Sequence, residues 1–359
     1  MATAIAREKE LVQALSILTI TPERADTAAH LIGSLEDREW NDFVSLADSH
    51  HVVVRAFRAL APAVQSDSLL QQRIATALQA ERGRIDNALQ CLENVCRELE
   101  TAGCPVVVMK SLDHWPDLGN DLDLYTTAPE HDVVRVFTEK LGATIEPRSW
   151  GDRLAHKWNF AIPGLRESVE VHSERLGQTG EHIALARRFI SRRMAQQIEN
   201  HTFLVPAPEE RIVVATLQRM YRHFYFRVCD IVNSGGLVES GALNFRELRT
   251  TSDLGGIWPG VATCLKIVSD YLARYRGIGL NLPADVMRSA RFGGEKLYVQ
   301  RRFLRVPIMP DGAGLYTKQV AATAMRGDVP ATFRLTLLPP LASVAAVAFR
   351  VTGDDKGIW

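Results

Sequence analysis

Two aspartates stand one residue apart in Asp121-Leu122-Asp123-Leu124. Side chains alternate faces along a strand, so this spacing puts both carboxylates on one side and both leucines on the other. Two acids one strand repeat apart repel each other, and both stay ionised when a cation bridges them. Hard oxygen ligands of this kind suit Mg²⁺ or Mn²⁺, which keep waters and take substrate phosphates beside one or two carboxylates. Ser168-Val169-Glu170-Val171-His172 repeats the pattern, with Val169 and Val171 facing a core and Glu170 and His172 opposite. If the two strands are neighbours, Asp121, Asp123 and Glu170 converge on a site that could hold two metals for in-line displacement at phosphorus. An Asp-x-Asp alone is a weak signal, since most are solvated turns or caps. Here it lies in an alternating apolar strand after Gly119-Asn120, and a half-buried strand rarely carries two acids without cause.

These residues need a sheet to position them. Val106–Met109 is a short β-branched run and predicts a buried strand. A loop rich in Asp, Pro and Gly follows over 110–120, then a strand over 121–126. Val133, Val134, Phe137 and Leu141 mark a helix, and further strands are expected at 157–162 and 168–172, divided by Pro163-Gly164. The order strand, loop, strand, helix, strands describes an α/β (α+β) sheet domain. Residues 1–100 read as helical. Ile85, Leu89, Leu92, Cys96 and Leu99 form one stripe, and Trp40, Phe43, Leu46 and Ala47 another. After Pro206 and Pro208 the pattern is helical again, through Ile212, Ala215, Leu217 and Met220, then Val261, Leu265, Val268 and Leu272. The expected division is a helical region 1–100, a sheet core 101–200, a second helical region 201–330 and an apolar tail 331–359.

The bulk properties are those of an ordinary globular chain. Of 359 residues, 46% are hydrophobic and 23% charged. The formal net charge is +0, so no global basic field favours nucleic acid or anionic membrane. The five cysteines show no metal-binding spacing and fit a reducing compartment. The start lacks a signal-peptide apolar run, which makes the cytoplasm the expected location. The apolar stretch from Leu335 to Phe349 is too short to span a bilayer, which needs roughly 20 residues. Arg334 and Arg350 bracket it and Pro339-Pro340 are expected to break it, so no stable membrane insertion is expected.

Lys110-Ser111, then Asp121-x-Asp123 about ten residues on, then Glu170 resembles the DNA polymerase β nucleotidyltransferase superfamily. More closely, Val108-Met109-Lys110-Ser111, Asp121-Leu122-Asp123-Leu124-Tyr125 and Val169-Glu170-Val171-His172 resemble the core of a bacterial family of uncharacterised nucleotidyltransferases. The segments Glu39-Trp40 to His50-His51 and Arg222 to Asp230 resemble its flanking helices. The resemblance covers roughly residues 35 to 275. It implies transfer of a nucleoside monophosphate from an NTP to a hydroxyl acceptor, with release of pyrophosphate. The acceptor could be a tRNA, a protein or a small molecule. Asp121, Asp123 and Glu170 would be the catalytic, metal-binding acids.

Lys110 would contact the triphosphate, unless it is an exposed loop lysine. His172 would orient Glu170 or meet the acceptor, unless it is a surface strand histidine. His223, Arg227 and Asp230 fall on one face of the expected helix and would line the cleft; an Arg227–Asp230 ion pair is the alternative. Arg187, Arg188, Arg192 and Arg193 form either an anion-binding patch or, more readily, a solvated helix face. His50 and His51 read as helix-end residues. One departure stands out. Lys110-Ser111 occupies the place of a glycine-containing turn, and glycine lets backbone N–H groups approach phosphate closely. Ser111 would offer its hydroxyl and amide instead. A catalytically silent nucleotide-binding or interaction module is the alternative this departure favours.

Overall fold

The computed structural model describes residues 2–65 and 68–352. Ser66 and Asp67 of the expected helical region, and 353–359 of the expected tail, lie outside the described residues.

Five helices precede the first strand: α1 (Ala2–Ile20), α2 (Ala25–Gly33), α3 (Asp37–Ser49), α4 (Val53–Leu60) and α5 (Leu69–Thr101). The stripe on α3 is buried at Trp40, Phe43, Leu46 and Ala47. That on α5 is buried at Ile85, Leu89, Leu92 and Leu99, as its spacing predicts. The Ser68 hydroxyl accepts the Gln71 N–H at 3.1 Å and caps α5.

The central sheet has five strands: β1 (Val106–Met109), β2 (Asp121–Thr126), β3 (Thr144–Ile145), β4 (Lys157–Ala161) and β5 (Ser168–Ser173). Their order is β1-β2-β5-β4-β3. β2 and β5 run parallel; the other pairs are antiparallel. A parallel pair needs a crossover. Here it contains α6 (Glu130–Arg135), α7 (Trp150–Leu154) and the antiparallel strands β3 and β4. At the bend expected between β4 and β5, Gly164 has φ +81°, a conformation glycine adopts without a Cβ penalty. The hairpin β6 (Met194–Ile198) and β7 (His201–Val205) follows α8 (Ile183–Ser191).

The strand alternation decides what covers each face. Val106, Val108, Leu122, Leu124, Val169 and Val171 share one core with the stripe of α5. Val107, Met109 and Tyr125 point the other way. They pack with α8, α9 (Pro208–Thr216), α11 (Phe245–Leu254) and α12 (Trp258–Arg276). The helices α1–α4 close a third core with α10 (Val228–Glu239) and α12. Asp121 and Asp123 stand on the Tyr125 side, at the end of the sheet where the helical cover gives way to a cleft.

Two expectations about helices are corrected. Residues 222–230 are not one helix: α9 widens over Leu217–Arg222, with the His223 N–H donating to Gln218 O at 2.9 Å. The chain then turns at Phe224, φ +54°. Tyr225–Phe226 forms a short strand β8, joined through β10 (Phe303–Arg305) to β9 (Tyr298–Gln300). Only then does α10 begin.

Pro339-Pro340 also do not break the tail. After α13 (Ala284–Ser289) and α14 (Ala313–Met325), α15 runs from Val329 to Thr352 through both prolines. Pro339 lacks the N–H that Leu335 O would have accepted. The Tyr316 hydroxyl donates to that carbonyl instead and ties α14 to α15. Leu335 is buried. Among the described residues no helix is long and apolar enough to cross a membrane.

Candidate active site

β2 and β5 are aligned so that Asp123 is directly beside Glu170 and Asp121 beside Ser168. Parallel register with matched alternation puts Asp121, Asp123, Glu170 and His172 on one face. One ligand atom each from Asp123, Glu170 and His172 lies within 4.8 Å of the others. Asp121 lines the same cleft from its exposed rim.

Two ammonium groups face the acids. Lys110 Nζ pairs with Asp123 and lies 3.9 Å from Glu170 Oε1. Lys157 Nζ lies 2.9 Å from Glu170 Oε2 and 2.9 Å from Asp152 Oδ1. His172 Nε2 is 2.7 Å from Glu170 Oε1, so the ring and the carboxylate hold each other in place.

Burial pushes Asp123 up to about 7, against the charge of Lys110 and with that of Glu170. Burial also acts to raise Glu170, but the charge of Lys157, the His172 hydrogen bond and the charge of Lys110 hold it well below its usual range. Desolvation and the Glu170 charge raise Asp121. The pair thus splits: one carboxylate holds its charge firmly, and the other readily takes a proton.

The turn before Ser111 departs from ordinary backbone. Lys110 has φ +53° and ψ −51°, a region that costs a residue with a Cβ about 1–3 kcal/mol. The missing glycine has therefore not removed the unusual turn. Lys110 adopts it, which carries the ammonium back over the acids. Ser111 lines the same cleft. Its hydroxyl accepts the Asp123 N–H at 2.8 Å and donates to Asp121 O at 3.2 Å, so it ties the turn to β2. The loop that follows is fixed to the N-terminus of α4. Asp117 accepts the Val54 N–H at 2.5 Å and the Arg55 N–H at 3.3 Å there, where the helix dipole favours an anion.

The opposite wall comes from residues 218–227 and includes Gln218, Arg219, Arg222, His223 and Arg227. His223 and Arg227 both reach the cleft, though not from one helix. Asp230 accepts the Arg227 N–H at 2.6 Å at the start of α10, but its ion-pair partner is Arg219, at 2.8 Å. Among the described residues, Arg222 and Arg227 pair with no carboxylate, and the Nε of each is buried without a hydrogen-bond partner.

Burial and the neighbouring Arg222, Arg219 and Arg227 charges press His223 down to about 2. Burial also holds His51 and His114, on the floor of the cleft, well below the ordinary histidine value. The positive charge here thus belongs to guanidinium and ammonium groups, while the imidazoles are neutral. Arg219 and Arg222 were missed from sequence because the segment reads as a continuous helix. The recurrence of Arg at 219, 222 and 227 among aromatic residues was the available signal. His50 is structural: its ring links the Val228 N–H and Arg302 O.

Three of the four arginines of the expected patch, Arg187 being the exception, are taken up in ion pairs away from the cleft. Arg188 pairs with Glu210 and Glu247, Arg192 with Glu209, Glu210 and Glu247, and Arg193 with Glu100.

Two solved structures show a remote likeness to the chain. An antigenic nucleotidyltransferase-like protein from Paracoccidioides brasiliensis shares 15% identity at a TM-score of 0.33, over 46% of this chain and 85% of that one. A tRNA-processing enzyme in an apo form shares 10% at a TM-score of 0.25, over 75% and 67% respectively. Neither likeness is close enough to carry function. No curated protein matches the chain. The sequence profile of the family described as uncharacterised nucleotidyltransferase matches residues 36–245, from α3 through the sheet and its cleft to the start of α11. More than half of the chain falls within that match, and the chain belongs to the uncharacterised nucleotidyltransferase family.

Proposed function

We propose that this protein is a divalent-metal-dependent enzyme of the polymerase β-like superfamily that transfers a nucleoside monophosphate from an NTP to a hydroxyl. The observation that carries this reading is the parallel register of Asp123 with Glu170 opposite two unpaired guanidinium groups. Acids on one wall and permanent cations on the other fit a metal–triphosphate, whose charge needs both.

The donor set fits Mg²⁺ or Mn²⁺. Asp123 and Glu170 supply hard oxygens, with Asp121 at the rim. Such a cation, when bound, neutralises phosphate charge and makes the acceptor hydroxyl more acidic. The chain's own residues do the rest. Arg222, Arg227 and His223 hold the triphosphate, and Lys110 leaves Asp123 for the phosphates as the nucleotide enters. His172 keeps Glu170 oriented. The acceptor oxygen bonds to the α-phosphorus, and the bond from that phosphorus to the bridging oxygen breaks. Pyrophosphate leaves with the electron pair, and the hydroxyl proton passes to a carboxylate of the Asp123–Glu170 pair. Positioning and charge supply most of the acceleration. On this reading residues 101–200 are the transfer core, the helical regions 1–100 and 201–330 support it, and the cytoplasm supplies the NTP.

The catalytically silent module remains the second reading. The committed Ser111 hydroxyl and the lysines seated on the acids favour it. Incubation with each α-³²P-labelled NTP, Mg²⁺ and cell extract separates the two. Metal-dependent appearance of labelled product is expected, and no product with any NTP would leave the silent module.

A further inference from the structure

Beside the polar cleft lies a second, apolar chamber of about 310 Å³, large enough for a small molecule or one aromatic side chain. The two share Lys110, Gln218 and Arg222 as a common wall, and His172, from the acid cluster, also lines the chamber. Much of its surface is carbon, from Met109, Leu176, Tyr221, Phe224 and the C-terminal residues Ile308 and Leu338. The C-terminal part falls outside the family match, so the roof of the chamber is added to the shared core.

The polar groups at the far end are already used. The Tyr316 hydroxyl donates to Leu335 O. Glu181 accepts the Thr179 N–H at 2.9 Å and the Thr179 hydroxyl at 3.1 Å, and Gln319 Nε2 is 3.4 Å from His182 Nε2. A nucleobase has donors and acceptors along its edges, and burying them without partners is costly. That end therefore suits an apolar body.

At the end nearer the acids two lining side chains, Arg222 and His172, each keep a polar atom without a hydrogen-bond partner among the described residues. His172 is buried, its Nε2 meets Glu170 Oε1, and its Nδ1 has no hydrogen-bond partner. With the proton on Nε2, donated to Glu170, Nδ1 is a free acceptor.

We infer that the chamber is the acceptor site. It would take an apolar-bodied hydroxyl compound, a phenol above all, with the ring under the C-terminal roof and the hydroxyl donating to His172 Nδ1 beside the acids. This rests on the transfer reading above and narrows its acceptor. The same chemistry is offered by a free phenol or by a tyrosine side chain of a peptide.

The test uses the full chain, with p-cresol as probe and toluene as the hydroxyl-free control. Saturation-transfer NMR is expected to detect p-cresol binding, and the His172 ring resonances should shift with p-cresol but not with toluene. Ala313→Trp, which fills the chamber, should weaken p-cresol binding at least about tenfold. It should leave Mg²⁺-dependent nucleotide binding in the neighbouring cleft intact. Should that variant fail to fold, Ile308→Ala decides: Ile308 is 57% exposed, so truncation spares the core while removing part of the roof. Binding weakened several-fold by Ile308→Ala supports the assignment.

No saturable p-cresol binding, or equal binding in wild type and the variants, overturns it. Transfer assays with p-cresol, N-acetyltyrosine amide and a tyrosine-containing peptide identify the source. Label on the free phenols marks a small-molecule acceptor, and label on the peptide alone a protein acceptor; either supports the chamber. Transfer to RNA or a sugar with none to phenols overturns the acceptor role. If p-cresol behaves as expected but no nucleotide binds, the transfer reading fails and the ligand class of the chamber stands.

Discussion

The protein has two dense clusters of charge, and they are built differently. In the first, Arg188 and Arg192 of the α8 region meet Glu209, Glu210 and Glu247, with Glu210 fully buried and each guanidinium serving at least two acids. In the second, β2 and β5 aim acids at one another, a lysine sits in a costly backbone conformation, and among the described residues Arg222 and Arg227 meet no carboxylate. Matched charges of the first kind hold helices together. Unmatched ones of the second kind are tolerated where a ligand completes them.

Paired variants break this comparison with the largest effects. Asp123→Asn should cost transfer at least about a hundredfold, while leaving melting unchanged or higher. Glu210→Ala should do the reverse. Stranding guanidinium groups beside a buried gap costs about 3 kcal/mol, while transfer assayed below the melting transition stays within a few-fold of wild type. Thermal unfolding and the labelled-NTP assay on both proteins check it.

Arg222→Ala comes next. With no ion pair to lose, its stability should be nearly that of wild type. Nucleotide affinity should fall roughly tenfold to a hundredfold, the worth of a charge-assisted contact. Titration calorimetry reads both parts of that statement.

A pH series sharpens the contrast. Asp123 has a folded pKa raised to about 7 from 3.8, so its contribution to stability is fully present below 3.8 and is lost as pH rises through 7. In the absence of metal, Asp123→Asn should therefore gain on wild type on going from about pH 5 to about pH 8 in thermal scans. The same proton competes with the cation. Mg²⁺-dependent nucleotide binding should weaken as pH falls below about 7, by up to roughly tenfold per unit. Flat profiles in both experiments would mean that Asp123 does not titrate in this range.

Lys110→Gly should change stability only slightly. It relieves the positive-φ turn but loses the Asp123 contact and adds unfolded-chain entropy, so the net change should lie within about 1 kcal/mol. Denaturant midpoints measure it.

The sheet and its acids were legible because period-2 alternation is a local signal. Leu122, Leu124, Val169 and Val171 state which face is core, and Asp121, Asp123 and Glu170 follow on the other. The second wall was not legible in the same way. Leu217 to Asp230 has helical periodicity, and the turn at Phe224 that splits it is stabilised from afar, by the Val306 N–H donating to Phe224 O at 2.9 Å. Ser111 was placed correctly in the turn, but the use of its hydroxyl depends on where β2 returns. The chamber gathers residues from 109 to 339, a set that tertiary packing alone brings together. The break expected at Pro339-Pro340 did not occur for a similar reason, since the compensating donor is Tyr316 on another helix.

The central claim is that the acids of β2 and β5 hold a divalent cation together with a nucleotide. Calorimetric titration of wild type and Asp123→Asn with each NTP, in Mg²⁺ and in EDTA, tests it most directly. The account predicts that wild type binds at least one NTP in Mg²⁺ and loses that binding in EDTA, and that Asp123→Asn shows little binding in either. Equal affinity in Mg²⁺ and EDTA, or a variant that binds as well as wild type, would contradict it.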